Sequence, residues 1–385
     1  RLEKELNRTN IQISIFTYHS FCNEIINENF SDFDLAQNYR IISKSTSRQF
    51  IKEIIDEINP IEYRSSKNDP YIYIGTILNQ IEEIKKNRLT KEKYFNNIEK
   101  NPDWKPKIKV LEEKLLDYQK KDKKIPNYLL NSIETQKKKI QKALELWDFY
   151  ENYKNKMEKN HFIDFYDMIN LVLEKFEFEP SFLHSISNKF DYFLVDEYQD
   201  TNKSQNQIIL DLINSNDKKN IFLVGDDDQI IFTFQGAKKN TIENFLSLNP
   251  DTKVICLKDN MRSTKNILSA ARGIIIQDST RLELNPEFSS YNISKELIAK
   301  NESLVNKKIE LNRFCNTNQE YNAIVDRIEE IINSPDCPRD KTGKKDLSQI
   351  AILTKTNPEL DRIAKKLKNK NIPYELKEGG DIFES

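Results

Sequence analysis

The stretch FLVDEYQDTN at residues 193–202 decides how this chain is interpreted. It opens with a short apolar run that is typical of a buried strand, and the run ends at Asp196 and Glu197. In parallel α/β sheets, ligands bind at the carboxyl ends of the strands. One carboxylate there can hold Mg²⁺ on a nucleotide's phosphates, and the next can orient or deprotonate the attacking water. An isolated pair of acids more often marks an ordinary strand–loop junction. The neighbouring segments therefore decide between a nucleotide site and such a junction.

A second segment, LVGDDDQIIFTFQGA at residues 223–237, has the same form. An apolar run again ends in acids, and Gln229 follows them. A glutamine at the end of a strand can hydrogen-bond a nucleotide's γ-phosphate, and it loses that partner when the nucleotide is hydrolysed. Phe232 and Phe234 lie two positions apart, so an extended backbone places them on one face. Such rings can stack unpaired bases. The alternative is a β-hairpin whose phenylalanines belong to the core.

A third segment, LKDNMRSTKNI at residues 257–267, places Arg262 directly before Ser263 and Thr264, which predict a helix start. An arginine just ahead of a helix in a second α/β unit could reach a nucleotide held by the first unit. Taken alone, a surface arginine is the simpler interpretation.

Strand and helix patterns alternate around these segments. Apolar runs predict strands at 11–17, 190–197, 220–229, 254–257, 309–314, 349–354 and 373–376. Helices are predicted at about 19–30, 203–213, 263–276, 318–333 and 358–370. This alternation indicates parallel α/β sheets.

The segment from residue 46 to about 176 reads as almost wholly helical, with no strand, which predicts an insertion in the first α/β domain. Within it, residues 105–142 hold twelve lysines and five acids, a local net charge of +7. This is either a solvated helix face in a lysine-rich chain or a surface that contacts phosphates.

Composition excludes several classes of protein. A chain of 385 residues predicts two or three domains, and its net charge of −1 requires any nucleic-acid surface to be local. A mean hydropathy of −0.71 and the lack of long aliphatic runs predict no membrane span. Four cysteines without a CxxC pair, and only three histidines, disfavour a metal cluster or disulfide framework and favour a cytoplasmic setting. Two of only seven glycines, Gly225 and Gly236, fall in the second segment, which favours a constrained loop there.

Together, VDEYQDTN, VGDDDQIIFTFQGA and NMRST resemble, in order and spacing, the motifs of UvrD/Rep-type superfamily-one DNA helicases. FTYHSF is similar to the family's TFHSF element, and DFYDMI resembles the DFDDLL element that ends its helical insertion. QIAILTKTN and NIPYELKEGGDIFE match the part of the second motor domain that precedes its own large insertion.

The resemblance implies an α/β fold with two RecA-like parallel-sheet motor domains, both incomplete here, and a large all-helical insertion in the first. It divides the chain into four segments: the first motor domain at 1–30, the helical insertion at 31–180, the first motor domain again at 181–252, and part of the second at 253–385.

The resemblance also implies ATP and Mg²⁺ as cofactors. Asp196 would coordinate Mg²⁺, Glu197 would activate the hydrolytic water, and Gln229 would sense the γ-phosphate. Arg262 would be the arginine finger. Met261 stands where the family usually has a tyrosine that stacks on adenine, so it would contact the base through a softer side chain.

The implied partners are single-stranded DNA and single/double-strand junctions, with movement usually 3′ to 5′, in repair, recombination or defence. Thr17 and His19 would touch the strand's backbone, while Phe232 and Phe234 would stack bases. A nuclease or repair protein is a possible partner, and no membrane is implied.

Besides Met261, two further departures from the family pattern limit these expectations. The arginine of the family's RGA element is Gln235 here, and no GxxxxGK[ST] phosphate loop occurs in the sequence. We therefore expect the chain to be the middle of a longer protein and to hydrolyse no ATP by itself. A non-hydrolysing DNA-binding or scaffold relative, or the helicase subunit of a helicase–nuclease, remain the alternatives. The presence of four residues with these implied roles favours an active motor: Asp196, Glu197, Gln229 and Arg262.

Overall fold

The computed structural model describes residues 13–64, 69–121, 124–230, 241–301, 306–335 and 337–376. The chain divides into two compact units. The first unit comprises Arg1–Cys256 and Gln277–Lys295, and the second comprises Leu257–Ile276 and Glu296–Ser385.

Helices dominate the described part of the first unit. They are α1 (Tyr18–Glu28), α2 (Lys44–Ile58), α3 (Ile74–Lys86), α4 (Lys91–Lys100), α5 (Lys105–Lys120), α6 (Asn127–Lys159), α7 (Phe165–Phe178), α8 (Pro180–Ser187), α9 (Lys203–Ser215) and α10 (Thr241–Leu248). The second unit contributes α11 (Lys265–Ile275), α12 (Thr317–Asn333) and α13 (Asn357–Asn369).

The described strands form three parallel pairs. Strand β1 (Arg40–Ile41) pairs with β2 (Phe162–Ile163), and β3 (Phe193–Val195) pairs with β4 (Ile221–Leu223). In the second unit, β5 (Asp259–Asn260) pairs with β6 (Ile298–Ala299). The expected parallel α/β character is therefore confirmed.

Two large apolar cores lie in the first unit. In one, α2 and α3 pack on α6 through side chains such as Ile54, Ile77 and Phe149, all fully buried. In the other, α1, α7, α8 and α9 pack together, with Ile26 and Val172 at its centre. Burying each such aliphatic side chain contributes roughly 1.5–3 kcal/mol, so apolar helix faces account for most of this architecture.

A smaller core forms in the second unit, where α12 packs on α13. Tyr321, Val325 and Ile328 lie against Ile363 and Leu367. Each helix has a well-formed start: the Asn316 side chain accepts a hydrogen bond from the Gln319 amide, and Thr356 and Glu359 form a capping box.

Several strand predictions were wrong. In the described residues no strand forms at 13–17, 254–257, 309–314, 349–354 or 373–376. A strand needs a hydrogen-bonded neighbour as well as an apolar run, and Leu311 and Leu353 are instead 97 % and 93 % exposed. The prediction that no strand interrupts the helical segment was also wrong, because Phe162–Ile163 forms β2. Two residues are too few to show a periodic pattern.

Candidate functional site

The parallel pairing of β3 and β4 brings the first two sequence segments together. The Val224 amide donates to the Val195 carbonyl at 2.8 Å, and the Tyr198 amide donates to the Val224 carbonyl at 2.9 Å. Both strands therefore end at the same edge. Asp196 and Glu197 follow β3 there, and the loop after β4 carries Gln229.

Gln199 joins the two strand ends. It is buried, with 1 % of its surface exposed. Its Nε2 donates to Glu197 Oε2 at 2.7 Å, and its Oε1 accepts from the Asp226 amide at 2.9 Å. A Cβ atom at Gly225 would lie 2.7 Å from Gln199 Oε1, so a glycine at 225 leaves room for this bridge. Sequence reasoning missed Gln199, although it lies inside DEYQDTN.

Glu197 adopts an unusual backbone conformation for a residue other than glycine. Its φ of 49° and ψ of 43° are left-handed, which costs of order 1–3 kcal/mol and is found preferentially at functional sites. Its amide donates to Asp196 Oδ1 at 3.0 Å, and both carboxylates are exposed. The turn directs two carboxylates to solvent at the strand end.

A packed layer supports this turn. Tyr198 is buried against Ile209 of α9 and Phe245 of α10. Its hydroxyl donates to the Asn206 side chain, and its carbonyl accepts from Thr201 Oγ1 at 2.8 Å. Burial raises the pKa of Tyr198 well above its ordinary value, so the phenol stays neutral.

Gln229 lies in the turn Asp227–Gln229 after β4, with its side chain exposed. Its Nε2 donates to Asp226 Oδ2 at 2.8 Å, and its amide donates to the Asp226 carbonyl at 2.9 Å. Burial acts to raise the pKa of Asp226, but the Lys295 ammonium outweighs this and lowers it. Asp226 is therefore a carboxylate at neutral pH and holds the Gln229 amide group at the sheet edge.

The donor set at the end of β3 fits a magnesium nucleotide. Mg²⁺ prefers oxygen ligands and is usually held by one or two carboxylates together with substrate phosphates. Asp196 offers an exposed carboxylate of this kind. The adjacent Glu197 carboxylate is placed to accept a proton from a water molecule.

The residues expected to contact the DNA backbone lie at the start of α1. Thr17 is exposed and caps the helix, since its Oγ1 accepts from the Ser20 amide at 3.2 Å. His19 lies against the ring of Phe165, with centroids 5.1 Å apart, and its Nε2 is buried without a hydrogen-bond partner among the described residues. Burial lowers the pKa of His19, although the Asp164 carboxylate opposes this. DNA contact by Thr17 and His19 stays a prediction.

Arg262 and Met261 belong to the second unit, and both side chains are exposed. Asn260 Oδ1 accepts from the Arg262 amide at 3.0 Å and from the Ser263 amide at 2.7 Å, so the turn before α11 is fixed. The predicted base-stacking residues Phe232 and Phe234, and the nearby Gln235 and Gly236, lie outside the described residues.

The lysine-rich stretch of α5 and α6 is partly neutralised. Exposed ion pairs join five of its lysines to nearby acids: Lys105–Glu99, Lys107–Asp103, Lys121–Asp117, Lys137–Glu112 and Lys138–Glu134. Such pairs contribute little to stability, about 0–1 kcal/mol each. The choice between a solvated face and a phosphate-contacting surface stays open.

Family comparisons agree with this architecture. Residues 1–251 match the UvrD/REP helicase N-terminal domain, and residues 255–385 match the UvrD-like helicase C-terminal domain. The chain therefore belongs to the UvrD/REP helicase family.

The chain is similar to curated proteins named ATP-dependent DNA helicase PcrA. It is 28 % identical over 369 residues to the protein from Staphylococcus epidermidis, covering 96 % of this chain and 41 % of that relative. It is 28 % identical over 384 residues to the protein from Bacillus subtilis, covering 100 % of this chain and 42 % of the relative. The chain thus spans about two fifths of the length of these relatives. None of the described helices is long and apolar enough to cross a membrane.

Proposed function

We propose that the protein is an ATP-dependent DNA helicase that couples ATP hydrolysis to movement along single-stranded DNA and to strand separation. The observation that carries this proposal is the shared edge of β3 and β4, where Asp196 and Glu197 lie beside the Gln229 loop and Gln199 connects the two. The names of the PcrA relatives support the same activity.

Each residue at this edge has a distinct proposed role. Asp196 would hold Mg²⁺, which when bound neutralises charge on the phosphates of ATP. Glu197 accepts the proton of the attacking water, and Gln229 hydrogen-bonds the γ-phosphate. In the second unit, Arg262 supplies positive charge to the transition state, and Met261 packs on the base.

The proposal extends to the DNA and to the domain plan. Single-stranded DNA and junctions are the partners, with translocation 3′ to 5′ in repair, recombination or defence, and a nuclease or repair protein is a candidate partner. Residues 1–30 and 181–252 would form the first RecA-like motor domain, residues 31–180 its helical insertion, and residues 253–385 part of the second.

The test uses the full-length protein. We expect ATP turnover to rise several-fold when a single-stranded oligonucleotide is added. We also expect a labelled strand to be displaced from a duplex with a 3′ single-stranded tail but not from one with a 5′ tail. Tight DNA binding without turnover would instead identify a non-hydrolysing relative. Displacement only from the 5′-tailed duplex would overturn the polarity alone.

Replacing either Phe232 or Phe234 with alanine is expected to weaken single-strand binding by about 1–3 kcal/mol, because a base loses the aromatic ring on which it stacks. The sequence preference and salt dependence should barely change, since no phosphate contact is removed. Fluorescence anisotropy with labelled oligonucleotides at several salt concentrations measures both effects.

The matched control for these variants is Phe178→Ala, because Phe178 is an 82 % exposed phenylalanine at the end of α7. It should leave DNA binding unchanged. If Phe232 and Phe234 were core residues, their alanine variants would lose several kcal/mol of stability with no specific DNA defect, and that outcome would reject the stacking role.

A further inference from the structure

A short segment of the chain folds back onto the candidate site. Residues 277–295, which we call the strap, lie in sequence between two segments of the second unit, yet they belong to the first unit. Leu282 and Phe288 of the strap pack with Leu246 of α10 in a small apolar core. The strap also carries two largely buried cations, Arg281 and Lys295.

Arg281 binds the last residue of the acidic loop, by which we mean the three aspartates at residues 226–228. Its side chain is 3 % exposed. Its Nε donates to Asp228 Oδ1 at 2.8 Å and its Nη2 to Asp228 Oδ2 at 2.6 Å, while Nη2 also lies 2.8 Å from Glu283 Oε2. The Leu282 amide adds a bond to Asp227 Oδ2 at 3.0 Å. Two parallel bonds from one guanidinium fix the orientation of a carboxylate as well as its position.

Lys295 connects the strap to Gln229 through one carboxylate. Its Nζ lies 2.8 Å from Asp226 Oδ1, contacts the Asp227 carboxylate, and lies 3.6 Å from Asp228 Oδ1. The other oxygen of the same group, Asp226 Oδ2, accepts from Gln229 Nε2 at 2.8 Å. The chain Lys295–Asp226–Gln229 therefore consists of direct contacts only.

The charges explain why the loop depends on the strap. Carboxylate oxygens of Asp226, Asp227 and Asp228 lie within 4.8 Å of one another, and three neighbouring negative charges repel one another strongly. Glu283 adds a fourth carboxylate beside Arg281, and Lys295 and Arg281 supply two positive charges at hydrogen-bond distance. This compensation lessens the repulsion within the loop, and the direct contact of Lys295 Nζ with Asp226 Oδ1 orients the carboxylate that accepts the Gln229 side-chain amide.

We propose that Lys295 is a positioning residue that holds Gln229 in the orientation needed for ATP hydrolysis, while Arg281 fixes the neighbouring Asp228. This inference rests on the proposed function, in which Gln229 contacts the γ-phosphate. Lys295 acts through Asp226 and would not itself touch the nucleotide.

A double-mutant cycle in the full-length protein tests the inference. We expect Lys295→Met and Gln229→Ala each to lower the kcat of DNA-stimulated ATP hydrolysis by about tenfold or more, with a smaller change in KM for ATP. If Lys295 acts through Gln229, the double variant should be no slower than Gln229→Ala alone. Lys253→Met, which removes an exposed lysine of the same unit, should match the wild type.

Stability is separated from positioning by a second variant. Lys295→Met with Asp227→Asn removes one negative charge along with the lysine, so its melting temperature should recover towards the wild type. Its kcat should stay low, because Asp226 still lacks the Lys295 contact that orients it. Recovery of both quantities, or multiplicative losses in the cycle, would overturn the inference. If the wild type is active and Lys295→Met is equally active, this inference is overturned and the proposed function stands. If the wild type is inactive, both the proposed function and this inference are overturned.

Discussion

The Glu197→Gln variant of the full-length protein is expected to hydrolyse ATP about 10²–10⁴-fold more slowly than the wild type while still binding ATP. Glutamine has nearly the same shape as glutamate but accepts no proton at neutral pH. Its side-chain oxygen can still accept from Gln199 Nε2, the donor that bonds Glu197 Oε2 at 2.7 Å. The bridge to the Gln229 loop should therefore survive, and only the general base is lost.

Two measurements define this result. Steady-state turnover with single-stranded DNA gives kcat, and titration with a fluorescent ATP analogue gives the dissociation constant. Glu92→Gln, which neutralises an exposed carboxylate in the first turn of α4, serves as the matched control and should behave as wild type. Wild-type turnover by Glu197→Gln would exclude the residue as the base. Loss of ATP binding would assign it to binding rather than to the chemical step.

The helices and the two strands of the site were predictable because their signals are local. The helix predicted at 203–213 is observed at Lys203–Ser215, where the Asn202 side chain caps the first turn. The helix predicted at 318–333 is observed at Thr317–Asn333. A cap and an apolar stripe lie within a few residues of each other, so the sequence alone specifies them.

The wrong strand predictions have a non-local cause. An apolar run such as 309–314 has the composition of a strand, but pairing depends on whether another segment lies alongside it. The pair of β1 and β2 shows the converse, because Arg40 and Phe162 are partners more than a hundred residues apart in runs too short for a pattern. Local composition carries no information about either case.

The residues of the candidate site also include some that the sequence predicts and some that it does not. Asp196, Glu197 and Gln229 were identified from strand ends and motif order, which are sequence features. Lys295 and Arg281 were not, because nothing in the sequence distinguishes them among sixty basic residues. Their contacts with a loop more than fifty residues upstream arise from packing of the strap.

The Lys85→Met variant is expected to lose about 3–5 kcal/mol of stability in the helical region, because it leaves two largely buried carboxylates without their cation. Lys85 is 4 % exposed in α3. Its Nζ lies 2.6 Å from Asp164 Oδ2 and 2.8 Å from Asp167 Oδ2, and these two acids form the capping box that begins α7.

Burial acts to lower the pKa of Lys85, but the two carboxylates outweigh it and raise the pKa above its ordinary value. This stabilisation is therefore fully present from neutral pH up to about pH 10, and it is lost at more alkaline pH as the lysine deprotonates.

Hydrogen exchange of α3 and α7 peptides in the full-length protein measures this loss locally. Lys91→Met is the matched control, because Lys91 forms an exposed ion pair with Glu151 between α4 and α6 and should cost less than about 1 kcal/mol.

Burial and Asp164 already raise the pKa of Asp167, and removing the lysine should raise it further. A carboxyl whose folded pKa is raised penalises folding above that pKa and not below its unfolded value. The deficit of Lys85→Met should therefore shrink as the pH falls from 7 towards about 4. Adding Asp164→Asn and Asp167→Asn should recover most of it at pH 7, since the buried charge is then gone. A deficit independent of pH, or one that the two asparagines do not repair, would show that Lys85 does not stabilise this helical region through its charge.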